Sequence, residues 1–288
     1  MILTKLFQKT YTLSVIIALI LFATTTSAQE ALGSANKKPL QVSFADVKAL
    51  SYITITEQMT YGDDENQFIE VWAANKRDQV EPISAGIILI HGGCWMADYG
   101  VAHVRALASA LSERNYNVFA IEYRRTGQLG GGWPGSLNDV GVSIRAIRDT
   151  YPKMALSVIG HSAGGHLAML AGTDPSFRLS AVIGLAAITD ISSYAQGESG
   201  CEKATVEFMG GKESVIPQAY SLANTRDKRI VAPLYLLGSE ADKIVPPEQN
   251  RHDQARHFKG KNIGHFDWVH PETEAFQHIL NTLSRLYD

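Results

Sequence analysis

The sequence predicts an α/β fold, a mostly parallel central sheet with helices on both faces, and three observations predict it. Short apolar runs recur at residues 86–90, 118–123, 156–159, 181–186 and 233–237, each the length of a strand buried on both faces. Segments with apolar residues at helical spacing separate them, so strand and helix alternate. A glycine-flanked serine, Gly160-His161-Ser162-Ala163-Gly164, sits where one such run meets a helical segment.

A chain of 288 residues, 45% hydrophobic and 19% charged, suits one large domain with a substantial core. The net charge of −3, with basic runs no longer than Lys37-Lys38 and Arg124-Arg125, argues against nucleic acid as a partner. Lys5 and Lys9 precede an apolar stretch at 13–23, which the small residues Ser27 and Ala28 close. That order is a signal peptide over 1–28, with cleavage near Ala28 and export to the periplasm or medium. The stretch is shorter than the ~20 residues that span a bilayer, so no stable membrane insertion is expected after cleavage.

Residues 29–45 read as a flexible lead, and 46–288 as a single domain. Residues 51–59 and 67–73 are β-rich and flank a turn at 61–66, a hairpin pattern. The strand at 86–90 is followed by a helix over 101–114, the strand at 118–123 and a helix over 137–150. The strand at 156–159 enters the serine turn, and the helix over 163–171 is rich in Ala and Gly, which lets it lie close to the sheet. Strands at 181–186 and 233–237 follow. Helices are expected over 249–258 and 273–287.

Ser162 is the candidate nucleophile. A serine on a sharp strand-to-helix turn projects above the sheet's carboxyl edge, and Gly160 and Gly164 remove side chains from a crowded turn. Its hydroxyl needs a base, and in this arrangement an acid and then a histidine follow in chain order. Asp242 lies in the loop after the 233–237 strand and is preferred to Glu240; His265, in Gly264-His265-Phe266, precedes the last helix. His161 and His166, beside the serine, read as packing residues. The tetrahedral intermediate needs preorganised donors, expected from the N–H of Ala163 and from the glycine-rich loop at Gly93 and Cys94. His91 reads as a brace for that loop. Trp95, Tyr99 and Trp133 read either as pocket walls or as buried packing residues.

The segments His91-Gly92-Gly93-Cys94-Trp95, Gly160-His161-Ser162-Ala163-Gly164-Gly165-His166, Asp242 and Gly264-His265-Phe266 resemble those of the α/β-hydrolase superfamily, over the chain from about residue 67 onward. The chain looks like its esterase/lipase branch, which includes kynurenine formamidase-like and carbohydrate-esterase-like proteins; residues 91–95 match the formamidase motif H-G-G-x-W. The resemblance implies a serine hydrolase without metal or organic cofactor, acting on a small-molecule ester or amide. Ester hydrolysis is the leading expectation, with formamide or amide hydrolysis and peptide cleavage as alternatives. A non-catalytic binding protein on the same fold would be expected to lack a triad member, and none is missing.

Residues 188–229 are long for a strand-to-strand connection and are expected to form a small lid insertion with short helices near 203–209 and 217–222. Cys201 falls in it and Cys94 in the glycine-rich loop. In an oxidising compartment the pair forms either a bridge or two buried thiols; a bridge would tether the lid to the loop.

Overall fold

The computed structural model describes residues 41–75 and 85–287. The leader expected over 1–28, and the lead as far as residue 40, lie outside the described residues. Residues 41–45 do not continue a flexible lead. Ser43 caps the short helix α1 (Phe44–Ala49) through a capping box with Asp46, and the Val42 N–H donates to Asp267 Oδ1 at 2.7 Å. Residues 41–45, expected as the end of the lead, are thus packed with the residues that follow.

The hairpin forms as expected from β1 (Glu57–Thr60) and β2 (Phe68–Trp72), although β1 is shorter than the β-rich run that predicted it. The chain continues through β3 (Ala85–Ile90), α2 (Arg105–Ser112), β4 (Asn117–Ile121), α3 (Gly135–Thr150), β5 (Ala155–His161), α4 (Ala163–Ala171) and β6 (Ala181–Leu185). Three short helices follow, α5 (Ile191–Tyr194), α6 (Gly200–Met209) and α7 (Pro217–Ala223), then β7 (Leu234–Ser239), β8 (Ala255–Gly260) and α8 (Glu274–Tyr287). The strands form one sheet in the order β1-β2-β4-β3-β5-β6-β7-β8, parallel from β4 to β8.

Successive side chains of a strand point to opposite faces, and β3 feeds two cores accordingly. Ile88 and Ile90 pack with α3 (Val140, Ile144, Ile147), α4 (Leu167, Ala168) and the lid residues Tyr194 and Phe208. Ile87 and Leu89 pack on the other face with α2 (Leu107, Leu111) and α8 (Phe276, Ile279, Leu283). Both faces are covered, which is why the parallel strands read as continuous apolar runs.

Two expected elements differ. In place of a helix over 249–258 the chain makes a 3-10 turn (Pro247–Gln249) and the edge strand β8. Its central residues Arg256, His257 and Lys259 face solvent, as suits an edge strand, so no buried apolar run marks it. The first turn of the helix expected over 101–114 is 3-10 (Val101–Val104). The lid helices α6 and α7 lie where short helices were expected.

Candidate active site

β5 ends at His161, and the next residue breaks the strand. Ser162 takes φ 56° and ψ −119°, backbone strain that a non-glycine residue bears only where its surroundings enforce it. The enforcement is visible. The Ser162 N–H donates to Leu185 O on β6 at 2.8 Å. A Cβ at Gly160 would run into the Gly164 carbonyl, and one at Gly164 into the carbonyls of Ile90 and His91. The two glycines thus let α4 start against the ends of β3 and β5 with the serine at its N-terminus.

His265 enters from the loop before α8. Its Nδ1 lies 2.8 Å from Asp242 Oδ2, while Asp242 Oδ1 accepts the N–H groups of Ile244 at 2.8 Å and Val245 at 2.9 Å. Burial pushes the Asp242 carboxyl up, but the His265 hydrogen bond and charge and these two amides outweigh it and hold the group below its ordinary value. Glu240 stays at the surface, 3.5 Å from Lys259 Nζ, as the preference for Asp242 requires.

His161 is fully buried, and its Nε2 donates to the backbone carbonyl of His265 at 2.9 Å. Burial depresses its pKa to about 3, so the ring is neutral. Read from sequence as packing, it also fixes the backbone that carries His265. His166 does pack: its Nε2 donates to Ala223 O on α7 at 2.8 Å, and burial lowers its pKa to about 4.

The glycine-rich loop is braced from beneath. His91 Nδ1 and Nε2 meet Gly92 O at 2.7 Å and Glu122 Oε1 at 3.0 Å. Tyr123 stacks on the His91 ring and donates to its carbonyl at 3.0 Å. Glu122 also accepts the Val101 N–H at 2.7 Å and pairs with Arg125. Burial raises the Glu122 carboxyl, yet these partners hold it below its ordinary value. Gly93, Cys94 and Trp95 then turn the chain with three consecutive positive φ values. A Cβ at Gly93 would strike the Tyr99 ring. Cys94 is joined to Cys201 of α6, with Cα atoms 5.1 Å apart, so of the two expected states of these cysteines the bridge is the one present.

Ser162, His265, Gly93 and Cys94 line one cavity of about 100 Å³. Ala163 opens α4, where first-turn N–H groups have no intrahelical acceptor. Of the three aromatic residues read as pocket wall or packing, Tyr99 lines this cavity, whereas Trp95 and Trp133, the two offered as substrate pocket, do not. Trp95 is fully buried and stacks on Phe208 of α6, ring centroids 4.5 Å apart; the Trp133 N–H donates to Phe208 O at 2.8 Å. Both hold the lid helix down, a task whose partner stands too far along the chain for spacing to reveal. The walls are instead Phe44, Tyr99, His103, Cys201, Ile244 and Phe266. Adjacency to Asp242 and His265 points to Ile244 and Phe266, but only tertiary folding brings in Phe44 and His103. A larger, shallower depression of about 540 Å³ among the lid helices, lined by Ser192, Glu213 and Tyr220 among others, holds none of the triad residues. Among the described residues no group of three or more His, Cys, Asp or Glu is placed to hold a metal ion.

A family model described as BD-FAE matches residues 73–255. Esterase LipC of Mycobacterium tuberculosis is 26% identical over 216 residues, 67% of this chain and 53% of that protein, so the chain spans about half the length of this curated relative. Esterase B from Lactobacillus rhamnosus superposes with a TM-score of 0.64 at 17% identity, covering 93% of this chain and 94% of the other. A truncated carbohydrate esterase from gut microbiota gives 0.65 at 18% identity, over 81% and 97%. A bifunctional GH43-CE protein of Bacteroides eggerthii gives 0.63 at 23% identity, over 80% of this chain and 38% of that one. With the mostly parallel eight-stranded sheet, these likenesses establish the α/β-hydrolase fold.

Proposed function

Because the chain belongs to the BD-FAE family, we propose that it is a serine esterase that cleaves a short-chain carboxylic ester through Ser162, His265 and Asp242. The observation that carries this reading is the strained serine at a strand-to-helix turn, in one cavity with a histidine whose far nitrogen is held by a buried carboxylate. The esterases among its relatives support it.

The chemistry follows from the groups. His265 takes the proton as Ser162 Oγ attacks the ester carbonyl, and Asp242 holds the imidazole in the required tautomer and stabilises its charged form. The N–H groups of Ala163 and of Gly93 or Cys94 receive the oxyanion, each donor worth about 3 kcal/mol. His265 returns the proton to the departing alcohol, leaving an acyl-Ser162 ester. Water, deprotonated by His265, attacks that ester and frees the acid. A cavity of about 100 Å³ favours a small acyl group, since ligand pockets commonly start near ~300 Å³. The leader read over 1–28 and the Cys94–Cys201 bridge support export, because bridges persist in oxidising compartments.

Hydrolysis of 4-nitrophenyl acetate, butyrate and octanoate tests the reading. We expect kcat/KM to fall with chain length and Ser162→Ala to lower kcat on the acetate by at least about 10³-fold. Equal rates for wild type and Ser162→Ala would reject it.

A further inference from the structure

The cavity is lined by a buried imidazole that the reaction above does not use. His103, from the 3-10 turn before α2, is 2% exposed and lines the cavity with Ser162. Neither of its ring nitrogens has a hydrogen-bond partner among the described residues. Its neighbours are rings: Phe44 edge-on at 5.3 Å, Phe266 at 5.9 Å and His161 at 5.0 Å. His161 spends Nε2 on the His265 carbonyl, which leaves its Nδ1 an acceptor lone pair, and that atom is unpartnered too. Burial first, then the neighbouring His161, hold the His103 imidazole well below its ordinary value. Neutral imidazole carries one donor and one acceptor. His103, which lines the cavity, and His161, which packs against it, thus carry three unpaired ring nitrogens between them.

Unpaired buried polar groups cost about 1–3 kcal/mol each and are retained where something else satisfies them. A hydroxyl both donates and accepts, so it matches a neutral imidazole as neither a purely apolar group nor a charged one does. The walls around it, Phe44, Tyr99 and Phe266, suit carbon rather than charge.

We propose that His103 is a specificity-determining residue that hydrogen-bonds a substrate hydroxyl carried close to the scissile ester, so that the preferred substrates are short esters of hydroxylated molecules. This rests on the esterase reading and deepens it. The half-buried Phe44, on α1 at the edge of the domain, is the ring that yields to admit the hydroxyl.

Two matched ester pairs test it: 2-hydroxyethyl acetate against propyl acetate, with the hydroxyl on the alcohol side, and ethyl glycolate against ethyl propionate, with it on the acyl side. We expect the wild type to prefer the hydroxylated member of one pair by about tenfold in kcat/KM, which also tells which side meets His103. His103→Phe should bring that ratio near one, and His103→Gln should restore part of it. Because the imidazole has no partner to lose, His103→Phe should also leave Tm unchanged or raised, whereas a structural role would lower Tm and leave the ratio alone. Wild-type ratios near one in both pairs, or a ratio retained in His103→Phe, overturn the proposal. Turnover of none of the four esters while a fluorophosphonate still labels Ser162 rejects the hydroxylated short-ester class; absence of labelling as well rejects the esterase reading and this proposal with it.

Discussion

At the scale of single residues, burial and fixed partners hold several groups of the site in a single protonation state. His265 and two backbone amides keep Asp242 ionised despite its burial, so in the proposed mechanism its contribution is tautomeric and electrostatic. Asp242→Asn should lower kcat by about 10⁴-fold with little change in fold, while Glu240→Gln, at the surface, should change kcat less than twofold; steady-state kinetics of both variants checks this. The buried histidines carry a stability signature. His166 has its pKa depressed from 6.5 to about 4 by burial, so the unfolded chain takes up the proton first on acidification. Its contribution is full above pH 6.5 and is lost as pH falls toward 4, worth up to about 3 kcal/mol at 1.36 kcal/mol per unit. Urea unfolding at pH 7 and pH 4.5 should therefore show a smaller acid loss for His166→Gln than for the wild type. An equal loss in both would assign the acid sensitivity elsewhere.

At the scale of elements, the glycine-rich loop proposed to hold the oxyanion and the helices of the 188–229 insertion are one unit. Cys94 binds covalently to α6, Trp95 stacks on Phe208 of the same helix, and Trp133 holds the carbonyl of Phe208. The bridge closes a separation of 107 residues, a length for which chain-entropy estimates reach about 5 kcal/mol. Cys201→Ser should thus lower Tm by several degrees. It should also reduce kcat more than it raises KM, because the loop it frees acts on the transition state; a Tm shift with unchanged kcat would show that the loop holds its shape without the tether. The elements themselves were legible to different degrees. The parallel strands announced themselves as apolar runs because helices bury both faces, and α4 was readable because its glycines have a steric task. Strand β8 was hidden because an edge strand exposes Arg256, His257 and Lys259 and so carries little period-2 apolar signal. Helix α1 was hidden because its short sequence buries only Val47, and its anchors, Asp267 and the rings at the cavity, lie far along the chain.

At the scale of the whole molecule, the sheet is the device that converts sequence order into a site. Parallel strands bring their carboxyl ends to one edge, so loops after β3, β5 and β7, distant in the chain, meet around one small cavity. Ser162, Asp242 and His265, picked out in the sequence by motif and chain order, come together here, and Tyr99 is a wall the sequence also offers; Phe44 and His103 could not be read, because they come from segments whose spacing refers to other neighbours. The central claim is that this edge makes Ser162 a nucleophile. Reaction with a fluorophosphonate followed by peptide mass mapping tests it most directly. The account predicts a single adduct on the peptide bearing Ser162, formed rapidly in the wild type and at least about 10²-fold more slowly in His265→Ala. An unlabelled Ser162 in the folded protein, or labelling that proceeds at the same rate without His265, would contradict it.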